Sequence, residues 1–323
     1  MRVDFAPMEG VTGAVYRRLH HACFSGVDRY YIPFLAPSAD FHFTGKVLTR
    51  LDAAHLAEVP AVPQLLTRNA ADFNRAAQKL AELGFCEVNL NLGCPSGTVV
   101  SKGKGAGFLA DPEALDAFLE EIFRAPPLPI SVKTRLGVER AEEFPRLLEI
   151  YNRYPLRELI VHPRTRSEFY RGGVHMDLFD YAARHSRNRL CYNGDLVTAE
   201  DCRRMEAAYP ELSGLMIGRG LAADPALGEK LLGGSMERDR LRRFHDGLCQ
   251  AMAEAYGSWS AVLPRMKEQW FYLLHSFDDT EKAAKKLRKA TKWPVFYDVT
   301  REIFETLPLR QDARGFSQDG GKL

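Results

Sequence analysis

Residues 86–109 read CEVNLNLGCPSGTVVSKGKGAGFL. The short apolar run 86–92 predicts a strand that passes directly into Gly93-Cys94-Pro95, and glycines follow at 103, 105 and 107. Their G-x-G-x-G spacing, set well beyond the strand, is a poor match to a dinucleotide-binding turn, whose glycines follow the strand at once. A thiol held between Gly93 and Pro95 at the end of a barrel strand would face the barrel mouth; the alternative is a core cysteine. Downstream, Asp111-Pro112 supplies an N-cap and a first-turn proline, so 111–123 is expected to be a helix. A second strand follows at 129–135, PISVKTR.

The same strand–helix unit recurs along the chain. Strand-like runs occur at 2–7, 29–36, 61–66, 86–92, 129–135, 157–162, 188–193 and 213–218, about 30 residues apart. Helix-like stretches lie between them, among them 70–83, 142–153 and 198–208, the last with Thr198 and Asp201 as a weaker cap. This alternation implies a parallel sheet with right-handed crossovers, and eight repeats suit a closed TIM (β/α)8 barrel better than an open doubly wound sheet. Nearly every run ends in polar or glycine residues: Glu9-Gly10, Gln64, Asn91, Lys133, His162, Asn193-Gly194 and Gly218-Arg219. Active sites in this fold gather at the C-terminal ends of the strands, so these residues mark one mouth.

After residue 235 the pattern becomes helical, with stretches at 239–256, 264–275, 280–291 and 296–306. The expected organisation is a catalytic barrel over 1–235, a small all-helical C-terminal domain over 236–310, and a polar, glycine-rich 311–323 read as a disordered tail.

The chain has 323 residues, 44 Lys+Arg against 42 Asp+Glu, 46% hydrophobic and 27% charged, an ordinary globular composition. No window approaches the ~18 apolar residues of a membrane span, and MRVDFAPMEG lacks the form of a signal peptide. A soluble, cytoplasmic protein is expected. Six cysteines (23, 86, 94, 191, 202, 249) form no C-x-x-C pair and no zinc or iron–sulfur spacing, so no metal is expected. Apart from Cys94 they read as small buried hydrophobes in a reducing compartment.

A net charge of +2 argues against a nucleic-acid partner until it is divided by region. Residues 238–302 hold 13 Lys+Arg against 9 Asp+Glu, leaving 31 against 33 elsewhere. In KAAKKLRKATK at 282–292, Lys282, Lys285, Lys286 and Lys289 share one helical face, which 292–293 would extend. Alone this is a solvated surface helix; beside a barrel that acts on a nucleic acid it would be a phosphate-binding face. At the barrel mouth, the last two strand ends form a common phosphate site, where Arg219 would fork onto phosphate oxygens. A flavin mononucleotide fits that arrangement, with Lys133 near the electron-rich side of its ring.

These motifs resemble the dihydrouridine synthases, flavoenzymes that reduce uridine in tRNA. The resembling residues are APMEGVT at 6–12, NLNLGCPS at 89–96 with KGKGAGFL at 102–109, SVKTRLG at 131–137, HPRTR at 162–166, NGD at 193–195 and IGRG at 217–220. PRMKEQW at 264–270 is similar to the family's R-x-K motif, placing Arg265 and Lys267 with the RNA. The resemblance covers roughly residues 1–300 and implies a barrel followed by a helical domain. It implies that Pro7, Met8, Glu9, Gln64, Lys133 and His162 surround an FMN ring, and that Asn193, Gly194, Asp195, Gly218 and Arg219 hold its ribityl-phosphate. Cys94 would be the general acid: an ordinary thiol, with a pKa of about 8.5, is protonated at neutral pH and can protonate uracil C5 after hydride reaches C6. NADPH would supply the electrons. Asn91, Lys102, Arg135 and Arg164, with Lys282, Lys285, Lys286 and Lys289, are expected to face the tRNA. A monomer is compatible with all of this. The chain departs from many relatives with Pro163 in place of Gly, which restricts His162 to extended geometry.

Two other readings compete with that one. A dihydroorotate dehydrogenase-like barrel acting on a free small molecule needs neither the helical domain nor the basic face. A catalytically silent RNA-binding protein needs no Cys94. Dihydrouridine formation in another structured RNA is the nearest variant of the leading reading.

Overall fold

The computed structural model describes residues 1–313, 315 and 316. Eight parallel strands close in chain order into a barrel: β1 (Arg2–Phe5), β2 (Arg29–Leu35), β3 (Ala61–Leu65), β4 (Val88–Leu92), β5 (Ile130–Arg135), β6 (Leu159–His162), β7 (Leu190–Tyr192) and β8 (Gly214–Ile217). Each expected run is a strand, shorter by one to three residues. Pro33 lies within β2, where the pairing register to β3 shifts between Ile32 and Leu35; proline has no N–H to give to a ladder.

Helices return the chain between strands. Asn69 caps Ala70–Glu82 by accepting from Asp72 N at 2.9 Å, and Asp111 caps Pro112–Phe123 by accepting from Ala114 N at 3.1 Å. Thr198 and Asp201 prove to be a reciprocal pair ahead of Ala199–Ala208: the hydroxyl accepts from Asp201 N at 3.1 Å and the carboxylate from Thr198 N at 2.9 Å.

By packing, the chain forms two compact units. The first comprises Met1–Pro7, Asp28–Gly194 and Glu206–Met216 and holds the barrel; the second comprises Met8–Val27, Asp195–Met205 and the described residues from Ile217 onward. The second unit is thus assembled from three chain segments instead of starting at one cut near 235. Its helices Arg238–Tyr256, Trp259–Leu273, Glu281–Lys289 and Trp293–Thr306 answer the four expected ones. Two begin earlier than their apolar spacing suggested. Ser258 caps Trp259–Leu273 and Pro264 is carried inside it, while Pro294 sits in the first turn of Trp293–Thr306. Helix Ala14–Cys23 also belongs to this unit, where Phe24 and Tyr16 meet the Phe244 ring edge-on at 5.2 and 5.7 Å.

In the stretch 311–323, expected to be disordered, Ala313 and Phe316 pack while Gln311, Asp312 and Gly315 are exposed. The Gln311 carbonyl accepts from Lys230 Nζ, Ala313 is buried with Val197 and Ala223, and the Phe316 ring lies 4.1 Å from that of His275. Two apolar side chains in a polar segment suffice to hold it down. Residues 314 and 317–323 lie outside the described residues.

The barrel interior is charged at the N-terminal ends of its strands. Arg29 contacts Asp4 at 2.8 Å, Glu158 at 2.8 Å and Glu87 at 3.0 Å, and Arg2 contacts Asp4 at 3.0 Å and also Glu158. Glu87 precedes β4 and Glu158 precedes β6, neither adjacent to β2, so these bonds cross the interior. Burial pushes the Glu87 carboxyl above its usual range. For Glu158, burial acts in the same direction, but Arg2 and Arg29 together bring it below. Above the cluster lies an apolar layer of Ala6, Tyr31, Val62, Ile160, Cys191 and Met216. Because removing one partner of a buried pair strands its counter-charges, Arg29→Met is expected to lower the unfolding free energy by about 3–5 kcal/mol in urea titration. A loss under about 1 kcal/mol would show the cluster to be dispensable.

Candidate active site

Four hydrogen bonds fix the backbone around Cys94. Asn91, at the end of β4, accepts through Oδ1 from Gly93 N at 3.0 Å and Cys94 N at 2.9 Å. The Gly93 carbonyl accepts from Arg135 Nε at 3.0 Å, and the Cys94 carbonyl from Ala106 N at 3.1 Å. The glycine-rich loop closes on this segment at Gly105. That residue has φ +57°, and a Cβ there would lie 2.9 Å from the Cys94 carbonyl oxygen and 2.9 Å from Val99 Cγ1. Only glycine meets both demands. Cys94 itself is half-buried in the mouth.

Next to this segment stands Lys133, paired with Asn91 across β4 and β5. Among the described residues no hydrogen bond or ion pair holds its ammonium group. Burial, reinforced by the Arg135 guanidinium, lowers the Lys133 pKa to about 7, with Cys191 and Cys94 acting in the opposite direction. Gln64 accepts from Asn91 Nδ2 at 2.7 Å, and Asn193 Nδ2 donates to the Met216 carbonyl at 2.8 Å, with Gly194 next in the chain. His162 ends β6, and its Nε2 lies 3.1 Å from Arg164 Nη1. A guanidinium only donates, so that nitrogen accepts and carries no proton. Pro7 is half-buried just after β1.

Arg135 and Arg164, expected to face RNA, are instead buried at 1% exposure. Arg135 Nη1 donates to the Thr165 and Phe169 carbonyls at 2.8 and 2.7 Å; Arg164 donates to Gly172 at 2.6 Å and Arg171 at 3.3 Å. Each guanidinium is engaged in shaping the loop after β6 and has no surface from which to meet a phosphate backbone. That loop brings three features the sequence reading missed. Glu168 accepts from Thr165 N at 2.6 Å and His175 at 2.7 Å, Phe169 adopts φ +55°, and the following Tyr170 stands 46% exposed, 6.0 Å from the His162 ring and 5.3 Å from the Arg135 guanidinium. An exposed aromatic eight residues after the strand-ending histidine was the available signal. Lys102 is exposed in the loop before Gly103.

The remaining expected residues lie in the second unit. Met8 and Glu9 form the turn after β1, where Thr12 Oγ1 accepts from Met8 N at 2.9 Å. Arg219 Nη2 meets Asp195 Oδ1 at 2.7 Å, and its guanidinium lies 5.0 Å over the Phe316 ring. Gly218 caps Arg219–Ala223. A Cβ on Gly220 would fall 2.2 Å from the Leu196 carbonyl oxygen, so the GRG motif serves close backbone packing. Lys282, Lys285, Lys286 and Lys289 are exposed on Glu281–Lys289, but the helix ends there and Lys292 caps the next, so the basic face stops at 289. Lys286 is paired with Glu302 at 2.7 Å, whereas Lys282, Lys285 and Lys289 have no such partner among the described residues. Arg265 lies 3.9 Å over the Tyr256 ring, and Lys267 Nζ donates to the Arg288 carbonyl at 2.9 Å, closing the end of the lysine-bearing helix. Among the described residues no helix is long and apolar enough to cross a membrane.

A closed parallel barrel thus carries at its C-terminal mouth a thiol, an imidazole and an amine that has no hydrogen bond or ion pair among the described residues. Solved structures share the barrel: the old yellow enzyme homologue from Zymomonas mobilis superposes with a TM-score of 0.53 at 12% identity, over 72% of this chain and 88% of that one. The old yellow enzyme from Trypanosoma cruzi gives 0.51 at 9% identity, over 72% and 88%. A model of the dihydrouridine synthase (Dus) family matches residues 4–302. The tRNA-dihydrouridine(16) synthase of Pseudomonas putida is 30% identical over 281 residues, 84% of this chain and 81% of that protein. The probable tRNA-dihydrouridine synthase 2 of Bacillus subtilis is 32% identical over 233 residues, 70% of each. The chain belongs to the dihydrouridine synthase family.

The depressed Lys133 pKa has a stability consequence. An unfolded lysine takes its proton near 10.5, the folded one only near 7. Between those values the unfolded state binds more protons, so stability falls as pH falls, and the deficit is complete below about 7. Lys133→Met is therefore expected to be more stable than the parent by about 1–3 kcal/mol at pH 7, with the difference closing towards pH 10.5. Urea midpoints across that range check it; a pH-independent difference would contradict the lowered pKa.

Proposed function

We propose that this chain reduces a uridine of tRNA to 5,6-dihydrouridine in the cytoplasm, with FMN as its flavin, NADPH as the electron source and Cys94 as the proton donor. Family membership across residues 4–302 supports the reaction, and the observation that carries the assignment of Cys94 is its fixed backbone at the barrel mouth. The donor set suits a flavin: Lys133 is a cation without a hydrogen-bonding partner among the described residues, and an electron-rich ring edge would complete it. Pro7, Gln64 and His162 would line the ring from the same unit, and Asn193 would hold the ribityl-phosphate side.

A reduced flavin, when bound, supplies hydride to uracil C6. Cys94 Sγ–H then gives its proton to C5, the thiolate recovers a proton from solvent, and the uracil C5=C6 bond is saturated by one hydride and one proton. Lys133, charged near neutral pH once an anionic partner approaches, would hold the ring that delivers the hydride. The uridine must leave the RNA stack to reach the mouth. The helical segment 236–310 would hold the tRNA backbone through Lys282, Lys285 and Lys289.

Mapping dihydrouridine by mass spectrometry in tRNA from cells with and without this gene tests the reading, and a site lost with the gene is the expected result. In the purified enzyme, Cys94→Ala is expected to keep the yellow flavin absorbance and lose uridine reduction by about 10²–10⁴-fold; unchanged turnover removes Cys94 from the reaction. Reversing Lys285 and Lys289 to Glu is expected to weaken tRNA binding and flatten its salt dependence while NADPH oxidation persists. Parallel loss of both activities would mean misfolding and not lost RNA contact.

A further inference from the structure

Beneath Cys94 a continuous series of hydrogen bonds runs down the barrel interior. Asn91 Nδ2 donates to Gln64 Oε1 at 2.7 Å, and Gln64 Nε2 to Asn89 Oδ1 at 2.7 Å. Asn89 Nδ2 donates to Ser131 Oγ at 2.9 Å, and the Ser131 hydroxyl to Glu87 Oε1 at 2.6 Å. The other Glu87 oxygen is held by Arg29 at 3.0 Å. Asn89 and Ser131 are fully buried, and Gln64 nearly so at 1% exposure.

Both ends of this series have only one possible polarity. At the top, the N–H groups of Gly93 and Cys94 can only donate to Asn91; at the bottom, the Glu87 carboxylate can only accept. Every amide between them therefore has one permitted orientation. Reversing any of them sets two donors or two acceptors face to face in a buried site, with the desolvation penalty of each uncompensated. Such an interior is costlier than the branched apolar layers that usually fill this fold. Val or Ile at 89 and 131 would fill the same space. What the polar series adds is a single orientation for the Asn91 amide, and hence for the loop that carries the thiol.

We propose that Glu87, Ser131 and Asn89 are positioning residues for Cys94, acting through this one-way hydrogen-bond relay. The catalytic consequence rests on the role given to Cys94 above, whereas the mechanical one does not. Ser131→Ala breaks the relay two bonds from Gln64 with little change in volume, and Ser131→Thr retains the hydroxyl. The test uses the full chain. Iodoacetamide labelling of Cys94, read by peptide mass spectrometry before flavin is added, has the exposed Cys86 as internal reference. In the flavin-loaded enzyme, kcat and KM for tRNA are measured separately.

Ser131→Ala is expected to shift the Cys94-to-Cys86 labelling ratio at least about threefold and to lower kcat about tenfold, with KM for tRNA within about twofold; a proton donor displaced by an ångström loses rate on this scale. Ser131→Thr is expected to restore both. Should the added methyl crowd the interior, Ser131→Cys, which keeps a donor at the position and is read as a separate peptide, serves as the conservative variant. An unchanged labelling ratio in Ser131→Ala overturns the relay, whatever happens to kcat. A shifted ratio with unchanged kcat upholds the relay and overturns the role of Cys94 as proton donor.

Discussion

The bonds from Arg29 to Glu87 and Glu158 are the constraint on which the barrel rests, because they join β2 to segments it does not neighbour. Three carboxylates and two guanidiniums share one water-poor end of the interior. Asp4, Glu158 and Cys191 even bring ligand-type atoms within 4.8 Å of one another, as a metal site would. Yet Arg2 and Arg29 already occupy the carboxylate oxygens, so the cationic role is filled by protein. Burying charge in this way is tolerable only while every partner is present. Burial pushes the Glu87 carboxyl upward, and its Oε1 takes the Ser131 hydroxyl. The base of the barrel thus dictates what can sit above it.

At the mouth, arginine and lysine divide the cationic work according to their shapes. Arg135 and Arg164 use the guanidinium fork to bind several carbonyls at once, which a single ammonium cannot do. Those bonds hold Phe169 at a positive φ, a conformation that persists only where the surroundings over-determine it. Among the described residues Lys133 has no such set of acceptors, so its desolvation stays uncompensated and its pKa drops to about 7. Binding of an anionic ring edge would offset that cost, and the charge would arrive on Lys133 together with the ligand that needs it.

Much of this was legible in the sequence, and the exceptions share a cause. The eight strands read clearly because apolar runs ended at polar or glycine residues about 30 positions apart. Cys94, Lys133 and His162 stood out as polar residues where strands end. Arg135 and Arg164 stood at the same kind of position, and nothing at the strand end distinguishes an arginine facing solvent from one folded back onto carbonyls of a later loop. The relay was visible only as a period of two, Glu87-Asn89-Asn91 and Ser131-Lys133-Arg135, which places polar side chains on one face of each strand. Reading strand ends alone passes over it. The packing of Ala313 and Phe316 escaped because one buried alanine and one phenylalanine hardly change the composition of the segment.

The overall charge of +2 misled for a related reason: it counts every cation equally. Of the six basic residues in 282–292, Lys286 is neutralised by Glu302, and Lys292 sits apart as the cap of the next helix. Arg265 and Lys267, read from the R-x-K motif, are engaged by Tyr256 and the Arg288 carbonyl. Lys282, Lys285 and Lys289 remain as exposed cations on one face with no ion pair among the described residues. Salt dependence reports phosphates neutralised, at about 0.7–0.9 of a logarithmic unit each. Three such lysines account for a slope of about 2–3 from this helix, well below what the six basic residues of the motif would give. The number of cations left unengaged by the fold, and not the net charge of the chain, is the quantity that bears on RNA.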